Sequence, residues 1–214
     1  MRRRKYLILT FCFFCSLSIN AQRIETQEVI RVSDSILLAN TNERIFACFQ
    51  TIGGSYYKYQ TKNRLATSGF LKKKKLKRNV KEIWVLYSFM CREECVRGGV
   101  WVKLDNNLKL IEPLDLDFIP KFVWENRPSD FMTKQKALKQ GISYFRNDGI
   151  AIWEPELEYN VKLKRYIYRI TNVLTKAKDI FTGKDIGNAE TAIIDAYSGE
   201  LLDIQEWTYG LIIR

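Results

Sequence analysis

No histidine occurs in the 214 residues of this chain. That absence removes Ser-His-Asp and Cys-His triads, the HExxH zinc motif and every imidazole acid–base step. Neither a G-x-x-x-x-G-K-[ST] loop nor a G-x-G-x-x-G turn is present, so the common phosphate-cradling motifs are missing too. Proline is scarce at 4 residues, and Pro113, Pro120 and Pro128 fall in one stretch. Beyond one run near the N-terminus no apolar stretch approaches the roughly 20 residues that a membrane-crossing helix needs.

The N-terminal run has the form of an export signal. Arg2, Arg3, Arg4 and Lys5 precede the uncharged segment Tyr6 to Ile19, and Asn20-Ala21-Gln22 supplies small residues for cleavage. Residues 1–21 are therefore expected to be a signal peptide, cut near Ala21, with the mature protein periplasmic or extracellular. An uncleaved membrane anchor is the alternative. Cys15 follows Phe14 rather than a small residue, which disfavours lipid modification there. Removing residues 1–21 takes away four positive charges and no negative ones, so a net charge of +11 becomes +7.

A hydrophobic share of 46% with 13% aromatics excludes general disorder. Cysteine outside the signal is limited to Cys48, Cys91 and Cys95, an odd number. Cys91 and Cys95 bracket three residues at the end of a predicted strand and form a candidate disulfide across a tight hairpin. Pairing of either with Cys48, or three unpaired thiols, stays open, because spacing alone does not fix connectivity.

Periodicity predicts a helix capped by Thr26 and running to about Ala39, with Val29, Ile30, Ser33, Ile36 and Leu37 on one stripe. Strands are expected over Arg44 to Phe49, around Tyr56, Tyr57 and Tyr59, and over Lys81 to Met90. The last is so apolar that both its faces are expected to be covered. Val100 to Leu104 and Leu108 to Ile111 read as a hairpin around Asp105-Asn-Asn107. Pro113 to Pro128 lacks a period and reads as a linker packed on the body. A second helix is predicted from about Asp130 to Phe145, with Phe131, Leu138, Ile142 and Phe145 inward and Lys134, Lys136 and Lys139 outward. Strands follow near Ala151 to Tyr159 and Leu163 to Leu174, with a polar loop over Lys176 to Asn188.

The last predicted hairpin carries the most specific pattern. Ala192-Ile-Ile194 and Leu201-Leu-x-Ile204 flank Asp195-Ala-Tyr-Ser-Gly199. The Asp side chain can cap backbone N–H groups and Gly199 can take the left-handed conformation that closes the turn. The turn is expected to direct Ile194, Leu202 and Ile204 toward the second helix. Preceded by Glu156-Leu-Glu-Tyr159 and Tyr166-Ile-Tyr-Arg-Ile170, the string Ile194-Asp-Ala-Tyr-Ser-Gly-Glu-Leu-Leu202 resembles the PepSY domain of thermolysin-like metalloprotease propeptides. The resemblance runs over about Phe131 to Trp207, and its motif residues here are Asp195, Ser198, Gly199 and Glu200. It implies a helix followed by a curved antiparallel sheet that holds a peptide or protein by shape and strand edge. No catalytic residue is implied. No protease domain follows in the seven residues after Trp207, so the inhibitory propeptide role is not carried over intact.

The expected fold class is thus α+β, a helix followed by a curved antiparallel sheet, occurring twice as two divergent PepSY- or cystatin-like halves. The expected divisions are 22–113 for the N-terminal half, 114–128 for the linker and 129–214 for the PepSY-like domain. The expected function is non-enzymatic: an exported module that binds a peptide or protein of the cell envelope, in the manner of a protease inhibitor or chaperone, with no cofactor. An NTF2-like immunity or scaffold protein is an alternative and predicts one continuous sheet. A small carboxylate hydrolase is another and requires a pocket holding two of Glu154, Glu156 and Glu158, one of them buried. The bland reading of those three is a solvated strand face with Leu157 and Tyr159 turned inward.

Charge concentrates in Lys72, Lys73, Lys74, Lys75, Lys77 and Arg78. Weak contact with an anionic surface is one reading of this basic patch. A flexible solvated loop that keeps neighbouring strand edges from pairing is the other. No aromatic interrupts the run, which disfavours nucleic acid as a partner. Trp84, Trp101, Trp153 and Trp207 are expected in the core by default.

Overall fold

A computed structural model describes residues 23–91, 96–180 and 182–210. The signal segment lies outside the described residues, as does Cys95, and with it the Cys91–Cys95 pair. Cys91 is buried. Cys48 is a half-buried free thiol that donates to the Arg44 carbonyl oxygen.

The fold is α+β with two antiparallel sheets. Helix α1 (Thr26–Asn40) buries Val29, Ser33 and Leu37, the stripe its spacing predicts. Thr26 is the first helical residue rather than the cap. Its hydroxyl donates instead to the Lys73 carbonyl oxygen. The short helix α2 (Glu43–Phe46) is capped by Asn42, whose side chain accepts from Ile45 N. Arg44 to Phe46 is therefore helical and not strand, because Asn42 offers a cap that starts a turn. The first sheet contains β1 (Phe49–Thr51), β2 (Tyr56–Gln60), β3 (Leu65–Gly69), β4 (Val80–Cys91) and β5 (Val96–Asp105). Strands β1 and β2 lie in line along one edge of β4, and β5 occupies the other edge.

Strand β4 is central, yet only one of its faces is covered. Ile83, Val85, Tyr87 and Phe89 are buried, while Trp84, Leu86 and Ser88 between them are half-exposed. The inner face meets α1, where the buried Tyr87 hydroxyl donates to Asp34 Oδ1 at 2.6 Å. The expected second strand of the Asp105 hairpin is a turn with a single bridge, Leu104 to Leu110. Asp105 Oδ1 accepts from Asn107 N and Lys109 N, so the Asp-led turn itself is as predicted.

Residues 113–128 contain the short helix α3 (Lys121–Trp124) and bury Phe118, Ile119, Phe122 and Val123. Helix α4 (Lys134–Ile142) starts at a Thr133 cap and is shorter than its apolar pattern suggested. It buries Ala137 and Gly141 and leaves Ile142 exposed. A Cβ at Gly141 would fall 2.8 Å from Ile170 Cγ1, so small residues let the helix lie close on the sheet.

The second sheet contains β6 (Ala151–Ile152), β7 (Glu156–Asn160), β8 (Arg165–Val173), β9 (Ala177–Lys178), β10 (Asp185–Asp195) and β11 (Leu201–Tyr209). Its order is β11-β10-β8, with β6 and β7 following one another on the outer edge of β8. The predicted strand Ala151 to Tyr159 is thus broken, and Pro155 stands at the break. Part of the expected polar loop is also strand, since β9 pairs with Asp185 and Ile186. One hydrophobic core joins both halves, drawing on Val29 and Leu37 as well as Tyr166, Ile170 and Ile194. The presence of two sheets rather than one is not what an NTF2-like cone requires.

Candidate functional site

Where the two sheets approach each other, β5 and β7 are both edge strands. Among the described residues each pairs with one strand only, β5 with β4 and β7 with β8. Between them lies an open cleft of about 1180 Å³.

The sheets are joined at the cleft floor by Phe118 and Tyr166. The buried Tyr166 hydroxyl lies 2.6 Å from the Phe118 carbonyl oxygen and 3.3 Å from that of Arg97 on β5. The Phe118 ring sits against Phe89 at 5.5 Å and Tyr159 at 6.5 Å between centroids. It also lies flat on the β5 backbone: a Cβ at Gly98 would come 2.2 Å from Phe118 Cδ2. Only glycine permits that approach. Burial and the neighbouring Asp117 and Asp115 push the Tyr159 phenol above its ordinary range, so it is a neutral hydroxyl at the floor.

The free edge of β5 can be located residue by residue. Arg97 O accepts from Tyr166, Lys103 O accepts from Ile111 N at 2.9 Å, and Asp105 N donates to Lys109 O at 2.8 Å. In an antiparallel ladder backbone groups alternate in direction, so Gly99 and Trp101 present theirs on the same outer side. Among the described residues nothing pairs with them there. The chain's own segment 109–111 begins to add to this edge and then departs at Glu112-Pro113. On the other wall, Tyr166 O accepts from Ala196 N on the β10 side, at 3.1 Å. Ile167 and Arg169 therefore address β7, which leaves the backbone groups of Leu157 and Tyr159 facing outward.

Charge lines the rim. Lys103 pairs with Glu112 and Lys134 with Glu154, while Glu158 lies 3.6 Å from Arg169. All three predicted carboxylates, Glu154, Glu156 and Glu158, line the cleft, and all three are exposed or nearly so. Lys134 holds Glu154 below the usual carboxylate range, opposite to what a general acid needs. The buried-carboxylate condition of a hydrolase is not met there. Leu157 and Tyr159 pack on the core as expected.

None of the hairpin-motif residues lines this cleft, and their bonds are those of the turn. Asp195 Oδ1 accepts from Tyr197 N at 2.9 Å and Ser198 N at 3.0 Å. Burial pushes the Asp195 carboxyl up, but these bonds and Arg165 outweigh it and hold it below the usual range. Gly199 is left-handed at φ +79°, and Glu200 N donates to Ser198 Oγ at 3.2 Å. A bulge between Ile193 and Ile194 sets Ile194 opposite Leu201. Leu201 rather than Leu202 therefore packs on the core, because one inserted residue reverses the side-chain alternation.

The basic run is not a free loop. Leu76 is buried, its N–H donates to Ile24 O at 2.9 Å, and Lys74 O accepts from Thr26 N at 3.1 Å. The Lys77 ammonium lies 4.4 Å over the Tyr59 ring. The tryptophans are not core residues either. Trp84 and Trp101 stand with Tyr56 on the outer face of the first sheet, and Trp84 stacks on Tyr56 at 5.4 Å. Trp153 and Trp207 form an exposed cluster with Tyr209.

Sequence reasoning missed three contributors. Gly98, Gly99 and Phe118 had no local pattern to mark them, although the Gly-Gly pair inside a strand is a signal of close backbone approach. Glu190 was also unmarked. It is fully buried on β10 and accepts from Asn172 Nδ2 at 2.9 Å, Asn147 N at 3.1 Å, Asn147 Nδ2 at 3.3 Å and Arg146 N at 3.3 Å. No cluster of Cys, Asp or Glu among the described residues could hold a metal ion.

No protein-family model matches the chain, and no curated protein matches it. Among solved structures, a candidate lipoprotein of Clostridium difficile 630 aligns over 86% of this chain and 94% of its own, at 13% identity and a TM-score of 0.28. A likeness at that level establishes neither fold nor function.

Proposed function

We propose that this is an exported, non-enzymatic protein that holds an extended segment of a protein partner in the β5–β7 cleft. The observation that carries the reading is the open edge at Gly99 and Trp101. Unpaired strand edges are templates for another strand, and proteins that do not use them usually block them with charge, proline or a covering element. Here the edge faces a cleft, is flanked by glycines and is already extended by two bonds from residues 109–111. A guest strand continuing that line would gain main-chain hydrogen bonds, and pockets at the floor would read alternate side chains.

Each half sets a helix against one face of an antiparallel sheet, which supports the PepSY- or cystatin-like reading of two divergent halves. That reading also brings peptide binding by strand edge. Export rests on the order of charged, apolar and small residues over 1–21.

Two measurements test the proposal. A photo-cross-linking amino acid at Trp101, in cells of the native host, should yield a discrete adduct with a protein, and the same group at exposed Leu38 on α1 should not. Adducts of equal yield at both positions, or none at Trp101, would reject the cleft as the site. Intact mass of the protein recovered from the host should begin at Gln22, and retention of Met1 would reject signal cleavage.

A further inference from the structure

The basic run sits at a place that only the fold defines. Residues 72–78 hold six basic side chains and no acidic one. Backbone bonds from Thr26 N to Lys74 O and from Leu76 N to Ile24 O tie the run to the point where the chain enters the fold. That point follows the apolar segment Tyr6 to Ile19 by only a few residues, and exposed Arg23 adjoins it. The basic run therefore lies beside residues 24–26, the first part of the described chain after the apolar segment.

The charges on this ridge are not all used internally. Lys73 donates to Ser68 Oγ, Lys75 pairs with Glu25 at 3.1 Å, and Lys77 donates to the Tyr59 hydroxyl at 2.8 Å. Lys72, Lys74 and Arg78 are exposed and have no side-chain partner among the described residues. Buried Leu76 and the two backbone bonds fix the ridge, so it presents its charges without first being ordered.

We propose that the Lys72–Arg78 ridge docks the protein on an anionic phospholipid bilayer. Charge complementarity supplies the attraction, since basic residues held near such a surface each add to binding within a Debye length. Until it is cut near Ala21, the export segment expected over residues 1–21 joins the chain just before the residues that bond this ridge. The inference is independent of the β5–β7 cleft, which neither shares residues with the ridge nor is needed for it.

The test is co-sedimentation of the protein, as purified from expressing cells, with vesicles of mixed phosphatidylglycerol and phosphatidylcholine. Binding is expected at low salt, with strong weakening as salt rises. The triple variant Lys72→Gln, Lys74→Gln, Arg78→Gln should lower the partition coefficient on the order of 100-fold. Lys136→Gln, Lys139→Gln, Lys162→Gln removes the same net charge elsewhere and should leave most of the binding intact. Equal loss in both triples would show that net charge and not the ridge is responsible, and would overturn the proposal. So would unchanged binding in the ridge triple, equal binding to pure phosphatidylcholine, or displacement by millimolar inorganic phosphate. Circular dichroism of both variants checks that the fold is retained, as removal of partnerless exposed charges predicts.

Discussion

Replacing Glu190 tests how the second half is held together. Its carboxylate lies wholly inside the protein and has no cationic partner among its hydrogen bonds. Four neutral donors surround it instead, from Asn172, Asn147 and the Arg146 backbone. They fasten the segment after α4 to the far end of β8 and β10. A Cβ at Gly149 would fall 1.6 Å from Asn172 Oδ1, so the segment is held close as well as bonded. Hydrogen bonds to a charged acceptor contribute about 1.5–3 kcal/mol each. Arg146 and Asn147 are exposed enough to bond water once released, so the full sum is not lost. Glu190→Ala is expected to cost about 2–4 kcal/mol. At about 2–4 °C per kcal/mol for a chain of this size, the melting temperature should fall roughly 5–15 °C.

Glu190→Gln separates charge from shape. The amide keeps the volume but points an N–H₂ group into a ring of donors, and it should cost about 1–3 kcal/mol at neutral pH. Burial pushes the Glu190 carboxyl up, but the four bonds outweigh it and leave the folded group below its ordinary value of 4.5. A depressed folded pKa contributes stability that is present above 4.5 and lost as pH falls through the lower folded value. The gap between parent and Gln variant should therefore narrow on acidification below 4.5. Thermal unfolding of both proteins from neutral to acid pH measures it. Equal stability at neutral pH, or a gap that does not change with pH, would refute the account of Glu190 as a satisfied buried anion.

Three further outcomes follow from particular contacts. Gly199→Val must adopt φ near +79° and should cost about 1–3 kcal/mol in thermal unfolding. Gly199→Asn displaces the same Gln140 side chain but tolerates that backbone, and should cost distinctly less. Gly98→Ala drives a Cβ into the Phe118 ring and should cost about 1–3 kcal/mol, with Phe118→Leu restoring part of the loss. In the basic run, Leu76→Ala should cost about 2–4 kcal/mol by emptying a buried site. Gln at Lys72, Lys73, Lys74 and Lys75 together should leave the melting temperature within a few degrees of the parent.

The sequence by itself determined features whose physics is local. A stripe at helical spacing fixed α1, and the Asp-led turns at Asp105 and Asp195 folded as predicted because a short carboxylate reaches its own backbone. Gly199 took the left-handed conformation because a residue without a Cβ adopts it at no steric cost. The glutamates of β7 turned outward and Leu157 and Tyr159 inward by simple alternation. Tertiary structure decided whatever depends on a distant partner. Apolar Lys81 to Met90 is covered on one face only, since α1 packs on the inner side and, among the described residues, no helix covers the outer one. Trp84 and Trp101 stand outside the core for the same reason. The bulge at Ile193–Ile194 exchanged Leu202 for Leu201, a one-residue shift that no local pattern records. Leu76 gave the lysine run an anchor through bonds to residues fifty positions earlier. The cleft itself arises only where two sheets meet edge to edge, on a contact between Gly98, Phe118 and Tyr166 that lie far apart along the chain.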